Sequence, residues 1–315
     1  MLEHPALASI GKRVLLAGCG GGYDVMGAVP LWRVLRDAGV EVHFASLSFS
    51  YLNGLTNAQQ DPEIPNLYAV GGDAATDRAY CPEAHLAKFL DAEAEGGAEA
   101  GARHIVWSFD KTGVRPLARA YRALVERLQL DSIILVDGGI DAVLRGDELS
   151  LGTPSEDLAS LAAATMMNVP VLLACVGMTS ELRDGIAHAQ VFERIAELTR
   201  EGAYLGASSL VPGTRSCDVY MRAVEAVFAG QSEQKKSHVH KVILQALRGE
   251  FGATAPHVWL SPLLSMFWFF DAHTVARTHR FLDALRATDS IWEIAARVEA
   301  ARKTLPIRER STMPI

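Results

Sequence analysis

Along the first two thirds of the chain, short apolar runs rich in β-branched residues alternate with segments of helical period. That alternation predicts an open, mostly parallel sheet covered by helices on both faces, a Rossmann-like α/β fold. The predicted strands are residues 13–17, 40–47, 67–70, 104–109, 132–136, 169–176 and 203–207. Between them, Ala28, Leu31, Trp32 and Leu35 fall at i, i+3, i+4 and i+7, and Leu117, Tyr121, Leu124 and Leu128 share one helical stripe. After about residue 215 the period is mostly helical, over 219–229, 238–247, 273–287 and 290–303. The expected organisation is therefore an α/β domain over residues 1–215 and a helical cap over 216–315, packed as a single compact unit. The Ala/Glu/Gly-rich stretch 91–102 is expected to be an exposed helix end and loop.

Composition removes several function classes. The chain has 315 residues, 49% of them apolar, and a net charge of −7 with no basic block, so it lacks the footprint of a nucleic-acid binder. No 18-residue uncharged apolar run occurs and the N-terminus is unlike a secretory leader, which predicts a soluble cytoplasmic protein with no membrane partner. Cys19, Cys81, Cys175 and Cys217 are far apart and form no C-x-x-C pair, so free thiols are expected, not zinc or disulfides. A homodimer is the expectation for an open α/β sheet.

In such a sheet, ligands bind beyond the carboxyl ends of the strands, near the point where strand order reverses. The segments after the predicted strands are rich in glycine, hydroxyls and acids: G-C-G-G-G-Y-D, S-L-S-F-S-Y, S-F-D-K-T-G, D-G-G-I-D-A-V-L-R-G-D-E and V-G-M-T-S-E. The fourth of these sets Asp137, Asp141, Asp147 and Glu148 around Arg145. Four carboxylates within 12 residues repel one another unless a cation is shared, and hard divalent cations take oxygen ligands. Asp137, Asp141 and Asp147 are accordingly candidate Mg²⁺ ligands, Arg145 a candidate anion clamp, and Gly138 and Gly139 part of the binding turn. Glu148, Glu156 and Asp157 are read as solvated or capping groups, since Thr153 to Glu156 matches an N-terminal capping box.

The first glycine loop fits neither familiar phosphate fingerprint. Counting from Gly18, the sixth place of G-x-G-x-x-G is Tyr23; Ser46 and Ser48 stand where a dinucleotide fold keeps its acid; and no G-K-[ST] ending follows. What remains is a strand, a loop and a helix whose N–H groups at Gly18, Gly20, Gly21 and Gly22 are candidates to face a phosphate. Pro30 would clash with the carbonyl of Met26 in a helix begun at Asp24, so regular helix is expected from Ala28 or Val29. That leaves Asp24 free as a base or second metal ligand. Lys111 is a candidate point charge beside the phosphate. His238 and His240, two apart, are read as capping or surface groups. The run M-F-W-F-F-D-A-H is read as core, with Trp268 or Phe270 available to stack on a base from a lid, and Cys19 as a weaker nucleophile candidate.

Two resemblances follow from these motifs. G-G-G-Y-D-V resembles the S-G-G-x-D-S pyrophosphate loop of ATP pyrophosphatases, with Gly20 and Val25 at the two serine places. The combination of G-G-G-Y-D-V, D-G-G-I-D-A-V-L-R-G-D-E, L-G-T-P-S-E-D and W-F-F-D-A, spanning about residues 12–290, resembles a bacterial and archaeal family known only as a domain of unknown function. Ile140 and Ala142 depart from that family's usual D-G-G-T-D-S. The residues themselves favour an enzyme acting on a nucleotide or other phosphorylated small molecule by Mg²⁺-dependent phosphoryl, nucleotidyl or glycosyl transfer or hydrolysis. Two alternatives stand beside it: a regulatory protein that binds a nucleotide or metabolite without turnover, and an NAD(P)-dependent oxidoreductase.

Overall fold

Strand β1 (Arg13–Gly18) sends Leu15 and Ala17 into one apolar core and Val14 and Leu16 into another. A strand with both faces apolar can only sit inside a sheet covered on both sides. In the computed structural model, which describes residues 4–8, 10–76, 80–95, 103–254 and 258–310, β1 is the middle of a nine-stranded sheet. The other strands are β2 (Glu41–Leu47), β3 (Gln59–Gln60), β4 (Leu67–Val70), β5 (Val106–Phe109), β6 (Ser132–Asp137), β7 (Val171–Val176), β8 (Tyr204–Ser209) and β11 (Met266–Asp271). Their spatial order is β3-β4-β5-β2-β1-β6-β7-β11-β8. From β5 to β7 all pairings are parallel; β4, β3, β11 and β8 add antiparallel edges. A separate hairpin joins β9 (Gly252–Thr254) and β10 (Val258–Leu260).

The helices are α1 (Pro5–Ala8), α2 (Val29–Asp37), α3 (Pro82–Glu95), α4 (Val114–Arg127), α5 (Pro154–Ala164), α6 (His188–Arg200), α7 (Arg215–Ala229), α8 (His238–Leu247), α9 (Ala272–Thr278), α10 (Leu282–Leu285) and α11 (Ile291–Thr304). Helices α2, α3, α7 and α8 bury their apolar stripes with Val14, Leu16, Ile134 and Val136 on one face. Helices α4, α5, α6, α9, α10 and α11 pack with Leu15, Ala17, Ile133 and Leu135 on the other. The Rossmann-like reading of the pattern therefore describes the molecule. None of the helices in the described residues is long and apolar enough to cross a membrane.

Pro30 sets the start of α2. Asp24–Ala28 forms a 3-10 turn, and the regular helix begins at Val29 with the proline in its first turn. The region after residue 215 is mostly helical, but Met266–Asp271 is a strand that enters the main sheet between β7 and β8. Trp268 and Phe270 are buried there against one core, Phe267 and Phe269 against the other, so no aromatic of this run faces a lid. Asp271 caps α9 by accepting the Thr274 N–H at 2.7 Å. Part of the Ala/Glu/Gly stretch, residues 96–102, lies outside the described residues.

His240 is a core residue, not a surface one. Its Nε2 donates to the Tyr23 carbonyl at 2.9 Å, and its Nδ1 accepts from the Tyr220 hydroxyl at 2.7 Å, tying α8 and α7 to the first glycine loop. Burial pushes its pKa down to about 4, against a smaller opposing effect of the Tyr23 hydrogen bond. A folded-state pKa below the ordinary 6.5 means that the neutral ring stabilises the fold above that pH and loses its contribution as pH falls toward 4, on the order of 3 kcal/mol in all. The native melting temperature is expected to fall between pH 6.5 and 4.5 more steeply than that of His240→Gln, by about 5 °C; parallel profiles would refute the assignment.

Candidate functional site

The sheet order reverses at β1. The chain leaves β1 through α2 to β2 on one side and returns through β5 and α4 to β6 on the other. Loops at the carboxyl ends of β1 and β6 diverge there and leave a crevice. The loop after β1 supplies Asp24; Asp137 is the last residue of β6; Asp141 opens the 3-10 turn Asp141–Val143 that follows. The first turn of α5 adds Asp157, and the turn Ser180–Asp184 after β7 adds Glu181. Strand ends and helix starts at one edge thus bring five carboxyl groups together.

One oxygen each of Asp24, Asp137 and Asp157 lie within 4.8 Å of one another. Asp24 accepts hydrogen bonds from the backbone of Gly138 and Gly21. Asp137 accepts the Ala142 N–H at 3.4 Å and the Cys175 thiol. Asp141 shares hydrogen bonds with both Asp157 and Glu181. Glu181 accepts the Ile140 N–H at 2.8 Å, and the Thr153 hydroxyl spans Asp141 and Asp157 at 3.4 and 3.2 Å. Thr153 therefore serves the carboxylates and does not form the capping box expected of it.

Burial first, and then the charges of the neighbouring carboxylates, push the pKa values of Asp24, Asp137, Asp157 and Glu181 well above the ordinary range. The same two effects raise Cys19 and Cys175, so neither thiol is prepared as a thiolate nucleophile.

The glycines of both loops make room for these acids. At Gly20, where φ is +122°, a Cβ would stand 2.2 Å from Asp24 Oδ2 and 2.4 Å from Asp157 Oδ1. At Gly139 it would stand 1.9 Å from Glu181 Oε1, and at Gly138 2.5 Å from Asp24 Oδ1. The loop's N–H groups are also engaged. Cys19 N donates to Val136 O at 2.7 Å, Gly20 N to Ser160 Oγ at 3.5 Å, Gly22 N to Leu47 O at 3.0 Å, and Gly21 N to the Asp24 carboxylate. Gly18 belongs to β1. The expected phosphate cradle is thus filled by the protein's own acceptors. The dinucleotide reading loses its ground for the same reason, and at the end of β2 the Ser46 and Ser50 hydroxyls serve buried Glu83 at 3.2 and 2.8 Å.

A cavity of about 230 Å³ opens over the cluster. Seven of its lining residues are acids: Asp24, Asp137, Asp141, Glu156, Asp157, Glu181 and Asp184. Among the described lining residues there is no Lys or Arg; Ser180, Thr153 and Phe49 also line it. A larger cavity of about 850 Å³ beside α3, β4 and β5 has in its lining Arg103, 3.7 Å from Asp73, and His104, 3.0 Å from Asp91. Convergent buried carboxyls distinguish the smaller one.

Arg145 and Asp147 do not join this group. Arg145 clamps Asp147 through two hydrogen bonds at 3.0 and 2.8 Å and reaches Glu197 at 2.6 Å. Arg308 adds a bond to Asp147 and one to Glu148, each at 2.9 Å. Burial raises the Asp147 carboxyl, but these two guanidinium groups outweigh it and hold its pKa low. The acids of this loop thus divide: Asp137 and Asp141 face the crevice, while Asp147 and Glu148 are neutralised by arginines. Lys111 lies at the rim, its Nζ 3.4 Å from Glu156 and 3.6 Å from the centre of the Phe49 ring. Asp157, read from the sequence as a solvated or capping group, belongs to the cluster instead, and Glu181 and Ser180 join it from V-G-M-T-S-E, where the sequence assigned them no role. Their one signal was position, since each lies in the first turn after a loop on the ligand-binding edge.

An open α/β sheet with an acid-lined cavity at its switch point defines the class. The chain belongs to the family described as protein of unknown function (DUF1152), whose model matches residues 92–304. No curated protein matches the chain. A solved structure, described as a deacetylase-bog complex in the biosynthesis pathway of teicoplanin, aligns over 82% of this chain and 97% of its own with 12% identity and a TM-score of 0.40. At that distance the likeness bears on neither residues nor substrate.

A carboxyl whose pKa is raised by folding stabilises the fold below its ordinary pKa and loses that contribution as pH rises through the folded value. In chelator at pH 8, Asp157→Asn should therefore melt measurably above the native protein, with the gap closing toward pH 4. A variant less stable than the native protein at pH 8 would show that the acids do not repel.

Proposed function

We propose that this protein is a divalent-cation-dependent enzyme, a hydrolase or transferase acting on a small polar molecule. The carrying observation is the convergence of Asp24, Asp137 and Asp157 oxygens within 4.8 Å on the floor of a cavity with no described Lys or Arg in its lining. The residues fit a hard cation. All three are oxygen donors, and their spread matches ligands around one ion, where oxygens on opposite sides stand about 4.2 Å apart for Mg²⁺ and about 4.8 Å for Ca²⁺. Burial first, and then mutual repulsion, raises their pKa values, and a shared cation offsets both effects. Such an ion, when bound, acidifies a water and stabilises developing oxyanion charge.

The protein's own residues supply the rest. Glu181, which burial and Asp141 favour in the protonated form, holds a proton at the cavity wall for a leaving group. Gly138 and Gly21 orient Asp24, and Thr153 fixes the relation of Asp141 to Asp157. A phosphorylated or nucleotide substrate is a second reading, favoured by Lys111 at the rim. Its charge would then be met by the cation and Lys111, because the loop N–H groups are engaged.

Saturating Mg²⁺ or Mn²⁺, at about 100 times its Kd, is expected to stabilise the native protein by about 2.7 kcal/mol, near 5 °C. Asp137→Asn should abolish that shift. Asp147→Asn should lower the baseline melting temperature, because it strips a buried partner from two arginines, yet keep the shift. The proposal does not survive an Asp137→Asn protein that still responds to the cation.

A further inference from the structure

The mouth of the cavity already holds an ammonium group. Phe49, 45% exposed, packs against the loop after β1, where a Cβ on Gly21 would come within 1.8 Å of its ring. Glu156 lines the same cavity, and the Lys111 ammonium reaches both, 3.6 Å from the ring centre and 3.4 Å from the carboxylate. An aromatic face and an acid together are a recognition element for organic cations. Deeper in, the Ser180 hydroxyl lines the cavity, 1% exposed, and is one of the buried polar atoms that have no hydrogen-bond partner. Leaving a hydroxyl so is unfavourable, and the backbone is strained to present it: Thr179, a β-branched residue, has φ +94° and is tethered by its Oγ1 to the Trp259 carbonyl at 2.9 Å.

Charge decides what enters. A divalent cation on Asp24, Asp137 and Asp157 leaves those three carboxylates with a net negative charge, and the carboxyl groups of Asp141, Glu156 and Asp184 line the same space. A phosphate would meet this field with no described Lys or Arg in the lining and Lys111 near the mouth, whereas an ammonium or guanidinium is attracted by it. We propose that the substrate is an organic cation whose ammonium or guanidinium group binds between Phe49 and Glu156 in place of Lys111, while Ser180 hydrogen-bonds a polar atom of the same molecule nearer the acids. Lys111, on a flexible four-carbon stem, is the internal occupant that such a ligand displaces. This rests on the reading of the cavity as a substrate site.

The test titrates 1-aminobutane, 1,4-diaminobutane, butylguanidine and inorganic phosphate into Mg²⁺-saturated protein at low salt by calorimetry. At least one of the three amine probes should bind, and phosphate should not. Glu156→Gln and Phe49→Leu should each weaken the amine about fivefold, Ser180→Ala should weaken the diamine, and Lys111→Met should tighten the amine at least threefold. The Lys111 variant carries the contrast, because an anion site would lose affinity there. Phosphate binding that disappears in Lys111→Met, amine binding indifferent to Glu156→Gln, or no binding by any amine would each overturn the inference. Mn²⁺ binding followed by electron paramagnetic resonance is read in parallel. Amine results as expected without Mn²⁺ binding would remove the cation-dependent reading alone, whereas Mn²⁺ binding with failed amine results would remove only the substrate class.

Discussion

Mutual repulsion among buried carboxyl groups governs this molecule. Asp137, Asp141, Asp157 and Glu181 are each less than a tenth exposed and share hydrogen bonds or close oxygen contacts with their neighbours and with Asp24. Charges buried beside like charges persist only where the surrounding fold over-determines their position. Here the determinants are rigid: the end of β6, the first turn of α5, and two tight turns after β1 and β7.

The glycine-rich loops follow from the same constraint. In a phosphate-binding loop, absent side chains let a ligand approach the backbone; here they let Asp24, Asp157 and Glu181 approach it. The N–H groups that would have met an anion meet the Asp24 carboxylate, Val136 O, Leu47 O and Ser160 Oγ instead. A loop that looks built for a negatively charged ligand is thus built around carboxyl groups of its own protein.

The far end of the acidic loop is held by the C-terminal region. Arg302 donates to the carbonyls of Gly146, Glu148 and Leu149 at 2.9–3.0 Å, and the Arg308 N–H donates to Asp147 O at 2.8 Å. Together with β11 in the sheet and His240 against Tyr23, these contacts make residues beyond 215 part of the frame around the site. Arg145 is consumed in that frame, which is why it does not reach the cavity.

Strand and helix periods, the delay of α2 by Pro30 and the gathering of glycine and acid at one edge were legible along the chain, because each depends on residues near one another in sequence. Asp137, Asp141 and Asp24 were singled out by that route, and the fold brings them to one cavity. Local order does not say which carboxylates of a crowded loop turn inward: Asp147 met Arg308 from more than 150 residues away, and Asp157, fit for a helix cap by its neighbours, was drawn to Asp141 by packing. Nor does it show that Met266–Asp271 pairs with β7 and β8, since strand partners are chosen by the sheet. The sequence by itself determined most elements of the α/β region, though not the strand Met266–Asp271, and the edge where charge collects. Only the tertiary structure decided the partner of each charge, because desolvation and ion pairing act between groups that the fold alone brings within reach.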